Sequence, residues 1–158
     1  MPKPLIVLVL ALATAIPSVA KAAPPDPVLG HGANEGWFEF DVRVHVQDGR
    51  ARGTLRVDEF GTKPPVSNYD VSGRVVCGAV LGNGAVIAAI RLESPSTIRV
   101  VFLALRDLDG TGLGPDLAAP AFSVVPTDEP LAPLCQNSLW LLGITEPLDS
   151  GGVLIRDR

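Results

Sequence analysis

The stretch GWFEFDVRVHVQDGRARGTLRVDEF, residues 36–60, decides the fold class. Phe38, Phe40, Val42, Val44 and Val46 alternate with Glu39, Asp41, Arg43, His45 and Gln47. Successive side chains of an extended chain point to opposite faces, so a period of two marks a half-buried strand. Asp48-Gly49 supplies a two-residue turn, and alternation resumes beyond Arg50. With Asp48 and Gly49 at the turn centre, Phe40 meets Val57, Val42 meets Leu55, Val44 meets Gly53 and Val46 meets Ala51. That face is apolar throughout. The other face sets Asp41 against Arg56, Arg43 against Thr54, His45 against Arg52 and Gln47 against Arg50. A slip of one residue would carry the charged set into the core, so the register is strongly specified.

Working outward, Gly61-Thr62-Lys63-Pro64-Pro65 ends this hairpin, and a third strand is predicted over 69–81. Gly82-Asn83-Gly84 provides positive-φ positions for a second hairpin into 85–92. Alternation here puts Val75, Cys77, Ala79 and Leu81 on one side and Val76, Gly78 and Val80 on the other. Segment 97–106 is of the same type, with Ile98, Val100 and Phe102 opposed to Val101, Leu103 and Leu105. Strands apolar on both faces need cover on both, from another part of the chain or from a second subunit of a homo-oligomer. Segments 121–125, 139–144 and 153–156 complete about eight short strands, with Pro126, Pro130 and Pro133 keeping the intervening chain irregular. No stretch combines helical period with caps. The expectation is one all-β domain over 36–158, a small antiparallel β-barrel or sandwich with little helix.

The front of the chain differs in kind. Lys3 precedes an uncharged apolar run from Leu5 to Ile16, Pro17-Ser18 breaks it, and Ala20-Lys21-Ala22 offers small residues for cleavage. This predicts a signal peptide over 1–22, and hence a secreted or periplasmic protein. A run of about 12 residues is too short for a stable membrane span, which needs about 20. Residues 23–35, with Pro24-Pro25-Asp26-Pro27 and Gly30-His31-Gly32, read as a flexible or extended Pro/Gly-rich lead-in.

Composition agrees with one folded domain. Of 158 residues 47% are hydrophobic and 19% charged, too apolar for a disordered chain. Fifteen Pro and sixteen Gly without a repeating period exclude collagen. The formal charge of −4 becomes −6 once Lys3 and Lys21 are removed, with 11 basic residues against 17 acids. No basic field exists to hold a nucleic acid. In an oxidising compartment the two cysteines, Cys77 and Cys135, are natural disulfide partners.

The segment richest in chemistry is Arg106-Asp107-Leu108-Asp109-Gly110-Thr111-Gly112-Leu113-Gly114-Pro115-Asp116. Asp107, Asp109 and Thr111 have the spacing by which a tight calcium loop presents oxygens, and Asp116 is a late candidate ligand. The twelfth position, where a bidentate Glu would stand, is Ala118, and a Gly-rich turn between strands explains the same composition without metal. No other cofactor is indicated. His31 and His45 are the only imidazoles, and the nucleophile, metalloprotease and phosphate-loop motifs are missing. No catalytic residue is assigned. Glu39 and Asp58, neighbours across the first hairpin, are a carboxylate pair on an exposed face without the cleft that acid-base chemistry needs. Arg43, Arg50, Arg52 and Arg56 form a stripe suited to an acidic polymer or partner, or to a mixed soluble surface protecting a sheet edge. Trp37 and Trp140 suit rim packing better than a sugar platform.

Val75-Val76-Cys77, the turn Gly82-Asn83-Gly84 leading into Ala85-Val86-Ile87, the Asp107 loop to Pro115-Asp116, and Cys135 together resemble a family of small secreted bacterial all-β proteins of unassigned function. The resemblance implies secretion and a small barrel, and carries no catalytic residues. Leu117 to Ala121 is an insertion relative to that pattern. The expected function is that of a secreted, non-enzymatic β module binding an envelope component or a protein partner. Alternatives are a small-ligand-binding barrel, suggested by the doubly apolar strands, and a hydrolase using His45 or the Asp107 loop.

Overall fold

The computed structural model describes residues 24–35, 37–59, 69–114 and 116–157. The expected signal peptide and the 61–65 break lie outside the described residues. Nine strands follow one another: β1 Asp26–Asn34, β2 Phe38–Gln47, β3 Arg50–Glu59, β4 Tyr69–Leu81, β5 Gly84–Ser94, β6 Thr97–Arg106, β7 Leu117–Pro126, β8 Glu146–Pro147 and β9 Ser150–Ile155. Helix α1, Leu134–Asn137, and a 3-10 helix, Leu139–Ile144, lie between β7 and β8. All strand pairs are antiparallel, in the order β8-β7-β6-β5-β4-β3-β2-β1-β9. The sheet curls into a half-barrel.

The β2–β3 hairpin has the register its alternation demands, from Phe40 opposite Val57 to Gln47 opposite Arg50. Asp48, at φ 51, and Gly49, at φ 74, take the two left-handed turn positions. Phe40, Val42, Val44, Val46, Ala51, Leu55 and Val57 are all buried in the inner core. Complete burial of one such side chain is worth about 1.5–3 kcal/mol, so reversing the faces is prohibitive.

Several expectations need correction. The supposed lead-in is the ordered strand β1, paired with β2 on one side and β9 on the other. Its inward positions after Val28 are Gly30 and Gly32, which removes the apolar signal. A Cβ on Gly32 would stand 2.8 Å from the Ser150 carbonyl and 2.9 Å from Leu148 Cδ1, so the close approach of β9 excludes a side chain there. Segment 139–144 is the 3-10 helix rather than a strand. Its run Leu139-Trp140-Leu141-Leu142 has no period to separate the two readings. In β4 the pairing shifts between Val75 and Cys77. This bulge at Val76 breaks the alternation, so Val75 faces the inner core while Cys77 and Ala79 face outward.

A second apolar cluster lies on the outer side of β4–β6: Cys77, Ala79, Val86, Ala88, Val100, Phe102 and Ala104 pack with Cys135 and Leu141. Leu131, Leu134, Leu139 and Leu142 complete the cover. The doubly apolar strands are thus covered by the chain's own 131–142 segment. A Cys77–Cys135 disulfide, with Cα atoms 5.8 Å apart, fixes that segment to β4.

Candidate functional site

Two features carry polar chemistry: the 107–116 loop and the outward face at the tip of the β2–β3 hairpin. The loop leaves β6 and returns as β7, and its aspartates converge. One carboxylate oxygen from each of Asp107, Asp109 and Asp116 lies within 4.8 Å of the others. Asp107 and Asp116 are buried, 3% and 0% exposed, whereas Asp109 is exposed. The calcium candidates are therefore brought together, and Thr111 joins them through its hydroxyl, which donates to Asp109 Oδ2 at 2.8 Å.

The buried carboxylates also have clear backbone partners. Asp116 Oδ1 accepts from Leu108 N–H at 2.8 Å and Oδ2 from Val153 N–H at 2.7 Å. Asp107 Oδ1 accepts from Gly110 N–H at 2.6 Å and Oδ2 from Ile155 N–H at 3.0 Å. Val153 and Ile155 belong to β9, whose other edge pairs with β1. The two aspartates therefore supply acceptors to the edge of β9 that no described strand pairs, and tie it to the loop between β6 and β7. Nothing local in the sequence marks this role, because the donors lie 37 and 48 residues away. Asp109 accepts instead from Thr111, and the Thr111 backbone N–H followed by the Thr111 hydroxyl holds its carboxyl below the ordinary aspartate range.

On the hairpin, His45, Arg50 and Arg52 are exposed, with His45 opposite Arg52. They share an open concavity of about 540 Å³ with Gln47, Asp48 and Pro25. Pro25 enters because β1 runs beside β2, a neighbourhood that the sequence did not announce. Further along this face charges are paired: Arg43 with Asp41 at 3.6 Å and Arg56 with Asp58 at 2.7 Å. Arg56 lies where β3 is paired on both sides, whereas Arg50 and Arg52 lie where β3 pairs with β2 alone. His31 faces outward on β1 and is exposed. Trp37 and Trp140 are 39% and 67% exposed, and the Trp37 ring packs edge-on against Phe38. No protein-family model, curated protein or solved structure matches the chain.

Proposed function

We propose that this protein is an exported, non-enzymatic β module that acts by binding, with its contacts on the outer surface of a closed barrel. The observation that carries the reading is a filled interior. Phe38, Leu55, Ile87, Leu103, Leu105 and Val153 are fully buried and converge from five strands. A methyl group added at Gly78 would stand 2.6 Å from Val46 Cγ2 and 3.1 Å from both Ala51 Cβ and Ile87 Cδ1, so even one carbon is excluded at that level. A carrier needs a cavity of hundreds of cubic ångströms, and this packing argues against one there.

Three observations support closure of the half-barrel. Strands β8 and β9 stand at opposite ends of the sheet order yet are separated by only Leu148 and Asp149. Asp107 and Asp116 bind the outer edge of β9, and the inner core draws on both β7 and β9. Export is supported by the disulfide, which persists in an oxidising compartment.

Native mass spectrometry of the protein from its own host, with and without chelator, tests the reading. The expected species is the disulfide-intact chain with no small molecule retained in stoichiometric amount. A retained apolar molecule would establish a carrier, and calcium mass lost to chelator would assign the Asp107 loop to a metal.

A further inference from the structure

We infer that the concavity at the β2–β3 tip binds an acidic saccharide, a sugar chain bearing carboxylate groups; this deepens the binding-module reading and rests on it. Charge is unevenly matched along the outward face of this hairpin. Away from the tip, Arg43 and Arg56 are each matched by an aspartate. At the tip, Arg50 and Arg52 are exposed and have no ion pair among the described residues. His45 stands directly opposite Arg52 on this face. This happens in a chain whose formal charge is −4. Asp48 brings one carboxylate to the two guanidinium groups of this concavity, and a ligand anion would supply the second.

The groups around the concavity narrow the ligand class. Arginine presents a planar fork of donors that matches a carboxylate with two parallel hydrogen bonds. Beside the two guanidinium groups stand the Asp48 carboxylate and the Gln47 amide, of the kinds that hold hydroxyls, and the Pro25 ring forms an apolar wall. Acid, hydroxyls and an apolar ring face coincide in a uronic-acid sugar. The volume of about 540 Å³ falls within the about 300–1,000 Å³ of small-ligand sites. An acidic peptide is the competing ligand, because β3 pairs with β4 only over Thr54–Glu59 and Arg50–Gly53 pair with β2 alone, and tetraglutamate represents it in the test below. A nucleic acid requires a cationic field spanning many phosphates, which this acidic chain lacks.

Calorimetric titration of the full exported chain at low ionic strength with tetragalacturonate tests the inference, alongside its fully methyl-esterified form and tetraglutamate. The expected result is saturable binding of tetragalacturonate, at least tenfold weaker for the ester. Arg50→Gln and Arg52→Gln together should weaken it at least tenfold and each alone measurably, while Arg91→Gln, the loss of one charge at an exposed arginine on β5, should leave it within twofold. Comparing acid with ester on the unaltered protein keeps the test valid if the double variant folds poorly. No binding, equal affinity for acid and ester, or tetraglutamate binding as tightly would each overturn the assignment. None of these would bear on the binding-module reading, which depends on the native mass.

Discussion

Asp116 is wholly buried, and its two carboxylate oxygens each receive one backbone N–H, from Leu108 and Val153. An asparagine has the same shape but one acceptor and one donor, so Asp116→Asn would turn an N–H toward an N–H. Hydrogen bonds to charged groups contribute about 1.5–3 kcal/mol, and an orphaned buried donor adds a similar cost. Asp116→Asn should therefore lower unfolding free energy by about 2–3 kcal/mol in urea titration; a loss below about 0.5 kcal/mol would refute the role. Asp109 differs because it is exposed and acts within its own turn. Its folded pKa is depressed, so its contribution is fully present above the ordinary carboxylate range and is lost as pH falls through the lower folded value. Asp109→Asn should lower stability slightly at neutral pH, converge with the unaltered protein in acid and so flatten the acid limb below about pH 4. An unaltered acid limb would contradict the Thr111 contacts as its source.

At the scale of elements, the β2–β3 hairpin was legible in full because one period, one turn and one sign rule agree there. Val42 is fully buried opposite Leu55, while His45 is exposed opposite Arg52. Val42→Ala should cost about 1–3 kcal/mol and His45→Ala less than about 0.5 kcal/mol. Similar losses at both sites would reverse the assigned faces. Strand β1 was illegible because its inward residues Gly30 and Gly32 carry no hydrophobic signal, and their small size answers to β9, more than a hundred residues away in sequence. The 139–144 helix was misread for the opposite reason, an apolar run with no period at all. Its cover of β4–β6 depends on the disulfide, whose 58-residue loop is worth up to about 4 kcal/mol in the chain-entropy model. Replacing Cys77 and Cys135 together by alanine should lower stability by about 2–4 kcal/mol and raise binding of a hydrophobic dye as the outer cluster opens. Unchanged dye binding would show that apolar packing alone holds the segment.

At the scale of the whole molecule, the proposed function depends on the interior being solid and the sheet being closed. The sequence singled out the Asp107 loop as a calcium candidate or a plain Gly-rich turn, and its tie to β9 was illegible because the backbone donors of β9 are invisible to any local pattern. In a strand, alternate N–H groups point to opposite sides; Arg156 N–H donates to the Pro27 carbonyl of β1, while those of Val153 and Ile155 point the other way, to the two aspartates. Those two amides therefore report on closure alone, independently of the β1 pairing. Residue-resolved hydrogen exchange by NMR should show Val153 and Ile155 protected to nearly the level of the core amides of Val44 and Leu103, with Val153 released selectively in Asp116→Asn. Exchange of both amides in the unaltered protein at the rate of a free sheet edge would contradict a closed, solid barrel.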